Sequence, residues 1–385
     1  EAEFYPFLKG GVWNNFLNKY PESNAINKRT LYLSREINAI EIKTGKDMSQ
    51  AKTELYRAQC NCAYWHGLFG GIYLTHLRSA LYKHIAVCED MICAEKKLNT
   101  PEIIQGDFRN EGHEQIFLRN QTCSIIVNPA FGATISEFTN RKKRTNVFDT
   151  IARRKEAYHS ILHNIKDDDK NATNVQSIHE MVTVKEKGLQ KYLVYDSSRR
   201  YSCKDLLFTS LPQPDDLMFN RIDYIDCSLH PFSCTMNDTT IQCDSSSDVL
   251  PAISKTFSIH ATKPILTVHY DIEGYNGWFG LEFTINMLVP HSKECYYAIE
   301  GVAAENAYLD SMGTSSGITQ VTMVDTTRDV SFSLQTSKPF ILVRYPVYTV
   351  SQSDSGFEKN YQGSCMVLCF ETNNSLHLDC ELTVQ

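Results

Sequence analysis

Between Glu22 and Glu95 the apolar positions recur with a helical period. Ile26, Leu33, Ile37 and Ile40 lie seven, four and three residues apart, the stripe of an amphipathic helix, with Ser23 and Asn24 as candidate caps. A second stripe, Leu74, Leu77, Leu81, Ile85, Cys88 and Ile92, steps by three and four after the break at Gly70-Gly71 and predicts a second helix packed on a core. After Leu98 the pattern changes. Thr100-Pro101 ends the helical run, and short segments rich in Val, Ile, Phe and Tyr follow at 115–118, 124–127, 265–270, 281–288, 340–345 and 366–370. These read as strands of an antiparallel sandwich. The expected fold class is α+β: an N-terminal helical domain over 1–98, then a large antiparallel β-sandwich domain over 99–385. The polar stretches 166–173 and 244–248 read as surface loops, and no internal repeat or low-complexity tract is present.

Composition narrows the field without choosing a function. Apolar residues make up 42% and charged residues 22% of 385, ordinary usage for a globular chain of two or three domains. Lys and Arg number 38 against 45 Asp and Glu, a net charge of −7, and the basic residues are dispersed apart from clusters such as Arg141-Lys142-Lys143-Arg144. That balance argues against a nucleic-acid partner. No apolar run approaches the ~20 residues needed to span a bilayer, and no basic segment followed by an apolar one opens the chain. Glu1-Ala2-Glu3-Phe4 reads either as native sequence or as the remnant of a secretion vector. Thirteen cysteines form no repeated framework, so reduced thiols and a cytoplasmic location are the simpler expectation. Sequons at Asn120, Asn171, Asn237 and Asn373 keep secretion as the alternative.

Candidate chemistry is concentrated at 58–78, where aromatic rings, an amide, an imidazole and paired glycines follow one another. A flat ring covers the apolar face of a pyranose while amide and imidazole groups meet its hydroxyls, so Trp65 is the stacking candidate for a sugar site. An alternative stays open on spacing alone: Trp65, Phe69 and Tyr73, at i, i+4 and i+8, form the core stripe of one helix.

The string Ala58-Gln59-Cys60-Asn61-Cys62-Ala63-Tyr64-Trp65-His66-Gly67-Leu68-Phe69-Gly70-Gly71-Ile72-Tyr73-Leu74 resembles the fifth signature region of glycoside hydrolase family 57, written in its 4-α-glucanotransferase group roughly as A-Q-C-N-D-A-Y-W-H-G-x-F-G-G-x-Y-L. Likeness continues upstream in Gly10-Gly11-Val12-Trp13-Asn14-Asn15-Phe16-Leu17 and Lys19-Tyr20-Pro21-Glu22-Ser23-Asn24. Downstream it continues from Asp149 to His159 and from Tyr345 to Gly363, and so spans almost the whole chain.

The resemblance implies a retaining mechanism run by two carboxylates in an N-terminal barrel. None of that barrel's strand-end signatures occurs in these residues, so the chain is expected to carry no catalytic residue, and to be inactive alone. Implied sugar-binding positions are Trp65, Cys62, Trp13 and His66. Position 62 departs from the pattern: the transferases place an aspartate there, and a thiol is a weak partner for hydroxyls. Loss of a charge-assisted bond there weakens glucan binding by about 1–3 kcal/mol.

Two cation sites fare poorly. Cys60, Cys62 and His66, with Cys88 or Cys93, offer soft zinc ligands, but Cys-x-Cys is not the usual hook. The run Asp107 to Glu114 resembles a calcium loop except for Arg109 where an oxygen ligand belongs; a turn into the first strand is plainer. No nucleophile elbow surrounds any Ser-His-Asp or Cys-His set, and no metal or cofactor is expected. The function expected is the C-terminal part of an α-1,4-glucan-acting 4-α-glucanotransferase or α-amylase, completing the cleft. Its partners are an α-glucan or other oligosaccharide and either the absent barrel or a second copy. The alternative is a stand-alone, non-catalytic carbohydrate-binding, interaction or structural protein, lectin-like in action.

Overall fold

The structure, a computed structural model, describes residues 12–66, 70–164, 188–353 and 356–385. The polar stretch 166–173 with its Asn171 sequon, Phe69, and the segment from Glu1 to Phe4 lie outside the described residues.

Helices α1 (Trp13–Lys19), α2 (Pro21–Thr44), α3 (Ser49–Arg57) and α4 (Thr75–Lys96) come first. Ile26, Leu33, Ile37 and Ile40 are buried along α2, and Leu81, Ile85, Cys88 and Ile92 along α4, in one shared core. Ser23 and Asn24 do not cap α2. Pro21 takes its first position, where a missing N–H costs nothing. Ser23 Oγ instead donates to the Tyr64 carbonyl at 2.7 Å, and Asn24 Nδ2 to that of Arg109 at 2.9 Å. The pattern missed α3 because only Ala51 and Leu55 are buried along its nine residues, too few to mark a period.

Strands β1 (Glu102–Gly106), β2 (Gln115–Arg119), β3 (Cys123–Asn128), β4 (Thr134–Asn140) and β5 (Thr145–Asn146) form a five-stranded antiparallel sheet in chain order. The run at Asp107 is the turn between β1 and β2, and the Asp107 carboxylate accepts the Glu111 and Gly112 amides at 3.0 and 2.9 Å. After the short helix α5 (His159–Asn164) come β6 (Lys204–Phe208), α6 (Pro214–Met218), β7 (Ile225–Asp226), β8 (Phe232–Met236), β9 (Thr240–Ser245) and β10 (Ala252–Ile259). The long strands β11 (Ile265–Ile285), β13 (Gly313–Asp325), β14 (Val330–Ser353) and β15 (Gly356–Val384), with β12 (Cys295–Ala298), complete a ten-stranded sheet. Its order is β12-β13-β14-β15-β11-β10-β9-β8, with β6 paired to β11 and β7.

Two expected strands, 265–270 and 281–288, are one: β11 runs on past a register shift between Glu273 and Tyr275, a bulge that absorbs one residue without ending the pairing, and stops at Ile285. Asp244 and Ser245 close β9 rather than opening a loop. Alternation sorts residues to two faces. Leu342, Met366 and Leu368 join the core between the sheets, whereas Val343, Val367 and Cys369 pack with Leu217 and Met218 of α6 on the other side.

The expectation of reduced thiols fails at Cys234 and Cys243. They stand opposite each other on β8 and β9 and form a disulfide. Asn120 is fully buried, donating to the carbonyls of His260 and Lys263, so its sequon cannot carry a glycan in the folded chain. Asn237 and Asn373 are exposed. Among the described residues no helix is long and apolar enough to cross a membrane.

Candidate functional site

The segment between α3 and α4 is not one helix. Among its described residues it makes two single turns, Asn61–Ala63 and Gly71–Tyr73, and Trp65 and His66 lie in irregular backbone after the first. Gly71 explains the shape. Its φ is +54°, its neighbour's Ile72 amide donates to the Trp65 carbonyl at 2.7 Å, and a Cβ at Gly71 would meet that carbonyl oxygen at 1.7 Å. Only glycine tolerates both the left-handed backbone and the close approach.

This fold brings Trp65 onto α1. Trp13 and Phe16, three residues apart and so on one face of that helix, hold ring centroids 4.8 and 4.6 Å from Trp65. Phe16 continues to Tyr20 at 4.5 Å. Trp65 keeps 39% of its surface exposed, so the strip Trp13–Phe16–Trp65 offers aromatic surface to solvent. Cys62 is exposed on the first of the two turns, and its thiol donates to Asn61 Oδ1 at 3.7 Å.

His66 belongs to a deeper layer. Its ring meets Tyr73 edge-on at 4.8 Å and Tyr158 at 5.3 Å, and its buried Nδ1 finds no hydrogen-bond partner among the described residues. Burial lowers its pKa despite the pull of Glu156, so the ring stays neutral near pH 7. Glu156 anchors this layer: Oε1 accepts the hydroxyls of Tyr20 and Tyr73 at 2.7 and 2.8 Å, and Oε2 accepts Lys19 Nζ at 2.7 Å. Burial pushes the carboxyl up, but these three donors outweigh it and hold it ionised below the usual carboxylate range. Burial and the same carboxylate push both phenols well above theirs.

The segment carrying Glu156 is fastened by ion pairs. Asp149 binds Arg78 at 2.9 Å, Arg154 binds Glu22 at 2.7 Å, and Arg153 binds Asp196 at 2.7 Å. The long β14–β15 ribbon reaches the same place: Gln362 Nε2 donates to the Tyr73 carbonyl and to Thr349 Oγ1, each at 2.8 Å, and His159 Nε2 lies 2.9 Å from the Val350 carbonyl. Described residues of all five strings that carry the family resemblance therefore meet around this site.

Of the four sequence-derived positions, Trp65, Trp13 and His66 are brought together with Glu156, and Cys62 lies beside them in sequence on an exposed turn. Sequence reading missed Phe16, Lys19, Tyr20, Tyr73 and Glu156. The three-residue step from Trp13 to Phe16 was a usable signal; Glu156 was already inside a quoted string but carried no role. Among the described residues no three His, Cys, Asp or Glu side chains gather where a metal ion fits; Cys88 and Cys93 are buried along α4.

Residues 107–383 match the family model described as alpha-amylase/4-alpha-glucanotransferase, C-terminal, and residues 11–92 match that family's middle domain. The chain is 32% identical over 383 residues to Alpha-amylase 1 of Dictyoglomus thermophilum, covering 95% of this chain and 52% of that protein. It is 28% identical to the 4-alpha-glucanotransferase of Thermococcus kodakarensis, covering 96% and 52%. The crystal structure of 4-alpha-glucanotransferase from Thermococcus litoralis superposes with a TM-score of 0.76 at 21% identity, covering 99% of this chain and 52% of that one. The chain thus spans about half the length of the curated relatives it matches.

Proposed function

Because the chain belongs to the alpha-amylase/4-alpha-glucanotransferase family, we propose that it supplies the sugar-binding wall of an α-1,4-glucan-acting enzyme. The carboxylates of the reaction come from a barrel outside this sequence. The observation that carries the reading is the half-exposed Trp65 seated on Trp13 and Phe16. Trp65 packs on these two rings at 56° and 50° to their planes, so its exposed ring is held in place and a glucose ring covers it with little loss of side-chain entropy. Beneath it, the buried His66 ring packs edge-on against Tyr73 and so backs the loop that carries Trp65. Glu156 is committed to Lys19, Tyr20 and Tyr73, and so acts as a positioning residue that fixes α1 against the loop.

Cys62 favours a second reading, in which the scaffold binds a sugar or a protein partner without catalysis, because a thiol cannot replace a carboxylate as acceptor for a hydroxyl. Titration of the chain with maltoheptaose, followed by calorimetry, tests the sugar site. Saturable binding that falls at least tenfold in Trp65→Ala supports it; binding unchanged in Trp65→Ala removes it. Cys62→Asp separates the two readings. Tighter binding, by about tenfold for a restored charge-assisted bond, supports a glucan subsite that has lost one contact, whereas no gain favours the second reading.

A further inference from the structure

Among the described residues β12 is an edge strand of the large sheet, with β13 as its strand neighbour. Its alternation sends Cys295 and Tyr297 into the core and Tyr296 and Ala298 outward. The chain then folds back over the strand: the Tyr297 amide donates to the Ala307 carbonyl at 2.7 Å, and Tyr296 bridges Tyr308. His291 stacks on Tyr308 with centroids 3.9 Å apart and 25° between planes, and Asp310 tethers the imidazole at 3.0 Å. A cavity of about 580 Å³ opens here, lined by Tyr296, Tyr308, Ile299 and Val302, with Lys293 and Glu305 exposed beside it.

We infer that this cavity is a second oligosaccharide-binding platform, remote from Trp65, for α-1,4-linked glucose chains. Two half-buried phenols and two aliphatic side chains suit the apolar face of a pyranose. Among the described residues neither phenol hydroxyl is hydrogen-bonded to another protein group, which leaves each free to donate and to accept. Lys293 and Glu305 oppose each other in sign, so the lining carries no net charge that would select an anion or a cation, and a neutral polyol is accommodated. The His291–Asp310 tether holds Tyr308 in place before binding, which lowers the ordering cost. The choice of α-1,4-glucan rests on the function proposed above; the sugar class rests on the cavity itself. A chain held at two places gains avidity for a polymer.

The test is maltoheptaose titration by calorimetry on the wild-type chain, on Trp65→Ala, on Tyr296→Ala/Tyr308→Ala, and on the combination. Two sites in the wild type are expected, each single-site variant losing one of them with at least a tenfold drop in affinity there, and no binding in the combination. Tyr308→Phe keeps the ring but loses the hydroxyl, and is expected to keep the site with an affinity lower by a few-fold, about what one hydrogen bond contributes, which separates lost contact from lost fold. Binding that disappears altogether in Trp65→Ala overturns the second platform and leaves the Trp65 site standing. Binding that persists in Trp65→Ala and vanishes in the tyrosine variant supports the platform. A tyrosine variant that titrates like wild type, or a wild-type chain that binds no sugar, overturns it.

Discussion

Where the two sheets face each other, Ile116, Leu118, Ile125, Val127 and Phe138 of the first meet Phe279, Leu281, Phe283, Phe332 and Leu334 of the second. Where the helices lie on the other face of the first sheet, positions equally deep are occupied by ions. Arg29 of α2 binds Glu89 of α4 at 2.9 Å and Glu137 of β4 at 3.0 Å. Arg119 of β2 binds Glu36 at 2.8 Å and lies 3.6 Å from Glu89. Arg141 donates to Ser124 Oγ, which donates on to Glu89. Every residue of β2, β3 and β4 is buried, so one sheet is joined to its neighbours by hydrocarbon on one side and by charge on the other. The hydrophobic side gains from each methylene removed from water. The ionic side gains little as a whole, because desolvation opposes attraction, yet loses heavily when one partner is removed.

That asymmetry is open to direct attack. Glu89→Ala strands Arg29 with half its counter-charge, and is expected to cost about 3–5 kcal/mol in urea unfolding followed by tryptophan fluorescence. Pairing it with Arg29→Met should cost much less than the sum of the single changes. Additive costs would show that the seam does not depend on its charges.

Acid should separate the two sides next. Burial works against an ionised Glu89, but Arg29, Arg141 and Arg119 outweigh it and hold its pKa at about 2, against an ordinary 4.5. The folded state then refuses a proton that the unfolded chain accepts, so this contribution is present above pH 4.5 and is lost as pH falls toward 2, about 3 kcal/mol in all. Asp205, buried with Lys255 at 2.7 Å on the sandwich side, behaves oppositely. Burial outweighs Lys255 and pushes it up to about 6, so its contribution is complete below pH 3.8 and is lost as pH rises through 6. Glu89→Gln should flatten the acid limb below pH 4.5, and Asp205→Asn the slope between pH 4 and 6. The reverse assignment would sink the comparison.

Neighbouring residues on β3 give the finest contrast. Ser124→Ala removes an oxygen shared by Glu89 and Arg141 and is expected to cost about 1–3 kcal/mol, while Ile125→Val, one methylene on the apolar face, should cost about 0.5–1.5 kcal/mol. Thermal unfolding of the two variants side by side reads the difference; equal costs would mean that the polar face is wet.

Local pattern was enough for α2 and α4, whose apolar stripes need no knowledge of what covers them, and for the centres of β2, β3, β11, β14 and β15. It was also enough for the family, because long ordered strings carry more information than any single position. It failed where a property belongs to a pair of distant elements. Strands β14 and β15 outrun their apolar centres because pairing extends through polar positions once the register is set. Alternation in β2 to β4 reads as a sheet half open to water, and only the docking of α2 and α4 shows that its polar face is buried and paired. The candidate site divides in the same way. Trp65, Trp13 and His66 were legible as residue types suited to a sugar, but their meeting with Glu156, 90 or more positions away, follows from Gly71 turning the loop and three ion pairs fixing the later segment. Residue type and spacing set what each element is; which charge ends up beside which ring is decided by burial, since only a desolvated ion is forced to find its partner.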